Sequence, residues 1–179
     1  MLFGARASLK LIFVGGVIGF LLLLAPHPSR SGVNPGCQDR QAWTLFCYFE
    51  SAASGFGEKD FATLVAKAGG SSRVPTAYRG AYRGLAVRKM TGAFQKLNGA
   101  KAAMEDLNQA VLEDPVNPRW RLLRWLMERE IPSWLGLSEH TKEDKAFLDR
   151  ARSALRLEQI RNAGPKGDLD WVFFFDKVQ

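Results

Sequence analysis

Beyond residue 32, apolar and polar positions follow a helical rather than a two-residue period. Residues 38–54 place Trp43, Phe46, Cys47 and Phe49 on one stripe before Gly55, which predicts a helix ending there. Residues 58–68 repeat the pattern with Phe61, Leu64 and Val65, closed by Gly69, Gly70, Ser71 and Ser72. Pro75 predicts the start of a long helix to about Leu97, because its fixed φ suits a first turn. The apolar positions of that helix are Tyr78, Tyr82, Leu85, Ala86, Met90 and Phe94, and Asn98-Gly99 predicts the turn after it. Residues 100–113 form an amphipathic stretch with Ala103, Leu107, Ala110 and Val111 on one stripe, broken by Pro115 and Pro118. Residues 119–130 are apolar on more than one side (Trp120, Leu123, Trp125, Leu126, Met127), the mark of a helix lying between neighbours. Pro132 ends it. Thr141, with Asp144 three residues later, predicts the N-cap of a last helix reaching about Asn162. The expectation is an all-α domain over residues 33–163 with about six helices, followed by a tail, 164–179, that carries Trp171, Val172, Phe173, Phe174 and Phe175.

Ahead of this pattern stands a different one. Residues 11–25, LIFVGGVIGFLLLLA, hold no charge, follow Arg6 and Lys10, and stop at Pro26. Fifteen helical residues span roughly 22 Å, against a hydrocarbon core of about 30 Å. The run is short for a free-standing span and well sized for a signal peptide, although Leu9 and the aliphatic stem of Lys10 can lengthen it towards an anchor. Residues 1–32 therefore read as a transmembrane anchor or a cleaved signal with its linker, the membrane contact being residues 9–26. Either reading places the later domain on the trans side of the membrane, anchored there or secreted.

Export changes the meaning of the two cysteines. Cys37 and Cys47 are a candidate disulfide, since the compartment favours oxidation; two separate thiols, with Cys47 buried between Phe46 and Tyr48, is the alternative. The net charge of +7 is unevenly spread: between Phe61 and Met104 there is no acidic residue but eight cations. That stretch either attracts an anionic lipid or polymer or is a face neutralised by acids of later helices, such as Glu105, Asp106, Glu113 and Glu128. Nucleic acid is not an expected partner of an exported chain.

The spacing Ala103, Leu107, Ala110, Pro115 resembles the second half of a tetratricopeptide unit: small, large and small residues that let two helices approach, then a proline stop. Over about residues 80–150, Pro115-Val116-Asn117, Arg121-Leu122-Leu123-Arg124, Pro132-Ser133-Trp134-Leu135-Gly136 and Glu143-Asp144-Lys145 resemble a group of small uncharacterised exported bacterial proteins. Their pattern is P-x-N, R-x-L-R, P-x-F-L-G and D-K; Trp134 departs from it. The resemblances imply a TPR-like array of helical hairpins in an envelope protein and transfer no catalytic residue. Arg121 and Arg124, three apart, share one side of their helix. With Asp144 they form a candidate structural clamp, with an anion pocket including Lys145 as the alternative.

Chemistry is sparse. His27 lies in the linker and His140 at a helix start, and no CxxC, HExxH, GxSxG or phosphate-loop motif is present. The expectation is no enzyme, no cofactor and no metal site. The expected role is that of a membrane-anchored scaffold or accessory subunit binding protein partners in a larger envelope complex. Tyr78, Arg79, Tyr82 and Arg83 are its expected contacts, with Trp171 and Phe173 of the tail, which either closes the domain's groove or meets a partner. The alternatives are a secreted domain binding an anionic polymer or lipid, and an envelope enzyme of unrecognised type.

Overall fold

The computed structural model describes Cys37, residues 43–164, Gly167 and residues 169–179. Among these residues every regular element is helical. There are eight α-helices: α1 (Leu45–Ala53), α2 (Glu58–Lys67), α3 (Thr76–Val87), α4 (Ala93–Glu113), α5 (Pro118–Glu130), α6 (Thr141–Ser153), α7 (Leu157–Ala163) and α8 (Asp170–Val178). Two 3₁₀ turns, Ser71–Arg73 and Ser133–Leu135, lie in connections. No described helix is long and apolar enough to cross a membrane; residues 11–25 lie outside the described residues.

The α3–α4 pair makes the most extensive helix contact, and its basis is residue size. Ala77, Gly80, Ala81 and Gly84 give α3 a flat, small-residue face. A Cβ at Gly80 would stand 2.8 Å from the Ala103 carbonyl oxygen and 2.9 Å from Leu107 Cγ, so only glycine lets α4 come this close. The facing stripe is Ala103, Leu107 and Ala110, all buried. Residues 88–92 turn the chain, with hydrogen bonds three residues back at Arg88, Lys89 and Met90. This corrects the expected boundary at Asn98-Gly99, which lies inside α4. A Cβ at Gly99 would stand 2.8 Å from Val87 Cγ2: this glycine serves a close approach, not a turn. Phe94, expected on the apolar stripe, is instead 75% exposed in the first turn of α4.

Pro118 opens α5, and the Asn117 side chain accepts a hydrogen bond from the Arg119 amide. As its two apolar sides require, α5 packs against α3, α4, α6 and α8. The predicted helix from Thr141 divides, ending at Ser153 and resuming at Leu157. Its cap also differs from the expected one. The buried Glu128 carboxylate of α5 accepts from the His140 amide (3.0 Å) and the Thr141 hydroxyl (2.7 Å), so the first turn of α6 is capped from another helix. Helix α1 starts at Leu45, with Thr44 as its N-cap accepting from the Cys47 amide. Cys37 and Cys47 are bonded, their Cα atoms 5.4 Å apart.

Candidate functional site

Three arginines of the basic stretch are answered from within the fold. Asp106, whose own Cβ is part of the close approach at Gly80, receives Arg79 through Nε (3.0 Å) and Nη2 (2.6 Å), and Arg83 through Nη1 (2.7 Å). The carboxylate holds the Arg79 guanidinium more firmly protonated than usual, chiefly through these hydrogen bonds. Arg88 meets Glu130 at 3.3 Å, tying the end of α3 to the end of α5. Of the acids expected to neutralise this stretch, Asp106 does so, while Glu128 is spent on the start of α6.

Tyr78 and Tyr82, expected to face a partner, are core residues at 4% and 1% exposure. Their rings explain it. Tyr82 takes edge contacts from Trp43, Tyr48 and Phe56, and Tyr78 packs edge-on against Trp120. Burial pushes both phenols well above their ordinary range and that of Tyr48 to about 12. Their four-residue spacing, continued to Leu85, already placed them on the helix's apolar stripe; a partner role required them on the opposite face. Arg79 and Arg83 flank that stripe and are occupied by Asp106.

Arg121, Arg124 and Asp144 meet. Asp144 is fully buried and accepts from Arg124 Nε (2.7 Å) and Nη2 (2.8 Å), a two-pronged pairing, and from Arg121 Nη1 (2.8 Å). Arg124 Nη1 donates on to Asn108 of α4 at 3.2 Å. One carboxylate thus joins α4, α5 and α6. Arg121 also reaches Glu143 at 2.8 Å, which holds that carboxyl below the ordinary range, and lies over the Phe147 ring. Lys145, the third member of the alternative anion pocket, pairs with Asp149.

The tail is a helix. Trp171, Val172, Phe174 and Phe175 of α8 are buried. Phe174 stacks on Phe49 of α1 with ring centres 4.3 Å apart, and Phe175 meets Trp125 of α5 edge-on. Trp171, expected as a contact for a partner, is therefore an internal residue, because α8 turns that side onto α1 and α5. Phe173 is half-buried under the Lys177 ammonium.

What remains open is elsewhere. A shallow recess of about 370 Å³ lies where the Ser71–Arg73 turn and the start of α3 face Ala110, Glu113 and Trp120. Its walls combine Trp120, Arg73 and the first residues of α3, a helix with neither a side-chain cap nor an acid in its first turn. A smaller one, about 210 Å³, has Phe61, Ala86, Met90 and Gly99 in its walls and Glu58 and Arg83 at its edge. The sequence signal for the first is the Gly69 to Pro75 break, which ends one predicted helix and starts the next; packing alone brings Trp120 beside it. Among the described residues no group of three or more histidine, cysteine, aspartate or glutamate side chains is placed to hold a metal ion. Comparison with protein-family models, with curated proteins and with solved structures finds no match to this chain.

Proposed function

We propose that this protein is a helical binding module held at the outer face of a bacterial inner membrane, a scaffold or accessory subunit of a larger envelope complex. The observation that carries this reading is the division of labour among its polar groups. The arginines of α3 and α5 are used to brace helix against helix, through Asp106, Glu130 and Asp144, while the recess beside Trp120 is left open. Consecutive, short-linked helix pairs with a small–large–small stripe in α4 support a TPR-like arrangement, in which a partner segment lies across such a surface. The apolar run at residues 11–25 supports the anchor. In place of Tyr78 and Tyr82, Trp120 and Arg73 are the partner contacts of this reading. Pairing of Arg79, Arg83 and Arg88 with carboxylates favours it over a secreted domain that binds an anionic polymer.

The test is purification of the full-length chain from its native membrane in mild detergent, with mass spectrometry of the whole sample. Stoichiometric membrane proteins, with residues 1–30 still attached, are expected, and their loss on Trp120→Ala or Arg73→Glu. A lone, truncated, soluble species would overturn the reading.

A further inference from the structure

Helix α8 occupies a groove whose chemistry can be read from the contacts it makes. Arg119 reaches Gly167 and Asp170 at the start of α8, Trp125 meets Phe175 near its middle, and Arg129 donates to the Val178 carbonyl at its end. The order rises on both helices, so α8 runs parallel to α5. Phe49 and Trp125 form the apolar walls. Arginines form the rim: Arg119 to Asp170 at 2.8 Å, Arg152 to Asp176 at 2.6 Å, and Arg129 to the last carbonyl at 2.7 Å. An aromatic floor with a cationic rim complements an amphipathic helix that carries acids beside its aromatic face.

Three features describe α8 as a docked segment. Its main contacts fall on α1, α5 and α7, outside the α3–α4 pair. The α3 to α6 assembly has its own fastenings at Gly80, Asp106 and Asp144, none of which involves α8, while the buried side of α8 adds Trp171, Val172, Phe174 and Phe175 to the same core. The connection to α8 begins at Gly164 and passes Gly167, both at positive φ, where the chain turns without steric resistance. A nine-residue helix has little helicity alone, so α8 is ordered by its groove.

We propose that the groove between α1 and α5 is a helix-binding site filled by the chain's own tail. It accepts, in the tail's place, a partner's amphipathic helix with aromatic residues on one face and a carboxylate in its first turn. A tethered α8 competes at an effective concentration on the order of millimolar. A partner helix displaces it by binding elsewhere on the domain as well, which is where this inference rests on the proposed binding role.

The experiment uses the full chain with a protease site inserted between residues 164 and 168. After cleavage the tail stays in place only by its contacts. The probe is a fluorescent synthetic peptide of residues 168–179. The cleaved protein is expected to exchange its tail for this peptide with the helical circular dichroism of the remainder unchanged. The uncleaved protein takes up the peptide at least tenfold more weakly. A peptide with Phe174→Ala and Phe175→Ala is expected to lose binding at least a hundredfold; one with Asp170→Asn and Asp176→Asn loses less and loses its salt dependence. A cleaved protein that never exchanges, or that unfolds as the tail leaves, makes α8 an ordinary core helix and overturns the proposal. A dimer with tails exchanged between copies would overturn it as well, by making the occupant a second copy. None of these readouts uses Trp120 or Arg73, so failure of the recess reading leaves them unmoved.

Discussion

Replacing Asp144 by alanine removes the carboxylate that Arg124 and Arg121 share and leaves the Arg124 guanidinium buried, with Asn108 at 3.2 Å as its remaining side-chain acceptor. Both partners are withdrawn from water: side-chain exposure is 5% for Arg124 and nil for Asp144. Breaking a buried pair from one side costs about 3–5 kcal/mol, because the surviving charge keeps its desolvation penalty without its attraction. At roughly 3–5 °C per kcal/mol for a domain of this size, Tm falls by about 10–25 °C. With a urea slope of about 2 kcal/mol/M the midpoint falls by roughly 2 M. Glu143→Ala is the internal control. It removes the other carboxylate on Arg121, but one that is mostly solvated, and is worth under about 1 kcal/mol. The double variant Arg124→Met, Asp144→Leu removes both buried charges and recovers most of the loss. Urea titrations followed by circular dichroism compare the four proteins. Equal, small losses for Asp144→Ala and Glu143→Ala would refute the clamp as a buried fastening. A double variant no better than Asp144→Ala would refute the unpaired charge as the cause.

Gly80→Ala is expected to destabilise by about 1–3 kcal/mol although alanine is the better helix former, because its methyl meets the Ala103 carbonyl and Leu107; thermal unfolding checks this. Opening the Cys37–Cys47 bond by Cys37→Ser with Cys47→Ser frees a ring of about ten residues and lowers stability by about 2–3 kcal/mol in the chain-entropy account, measurable by urea titration. The protein has three tyrosines, all buried with raised pKa values, Tyr48 at about 12. The folded state holds protons that the unfolded chain sheds near pH 10, so their contribution is complete below about pH 10 and is lost as pH rises through the folded values. Near-ultraviolet absorbance is expected to register no tyrosinate until circular dichroism registers unfolding; tyrosinate formed at about pH 10 with the fold intact would contradict the burial. At acid pH the sign reverses for Glu143, whose pKa Arg121 depresses: its small contribution is full above the usual glutamate value and fades as pH falls through the lower folded one, and Glu143→Gln abolishes that dependence.

Local chemistry along the chain determined the class of this structure and several of its joints. The 3.6-residue spacing of Ala103, Leu107 and Ala110 names a buried helix face wherever the helix is put, since those side chains cannot all face water on one side. Pro115, Pro118 and Pro132 end or begin helices because a missing amide and a fixed φ act within one turn. Arg121, Arg124 and Asp144 were legible as a group because helical spacing places both arginines on one side, and a carboxylate stands at the start of the next helix. What depends on contacts distant in sequence was not written locally. Asn98-Gly99 has the composition of a turn and becomes helix, because Gly99 is where α4 passes Val87 and Met90. Glu128 looks like a surface acid of α5 and becomes the cap of α6, because only the packing of α6 brings His140 and Thr141 to it. Tyr78 and Tyr82 carry polar tips that fit either a surface or a core. Trp43, Tyr48, Phe56 and Trp120, arriving from three other parts of the chain, decide for the core. Trp171 to Phe175 had to find cover somewhere; which helices supply it, α1 and α5, is fixed by shape and charge that exist only once those helices have assembled.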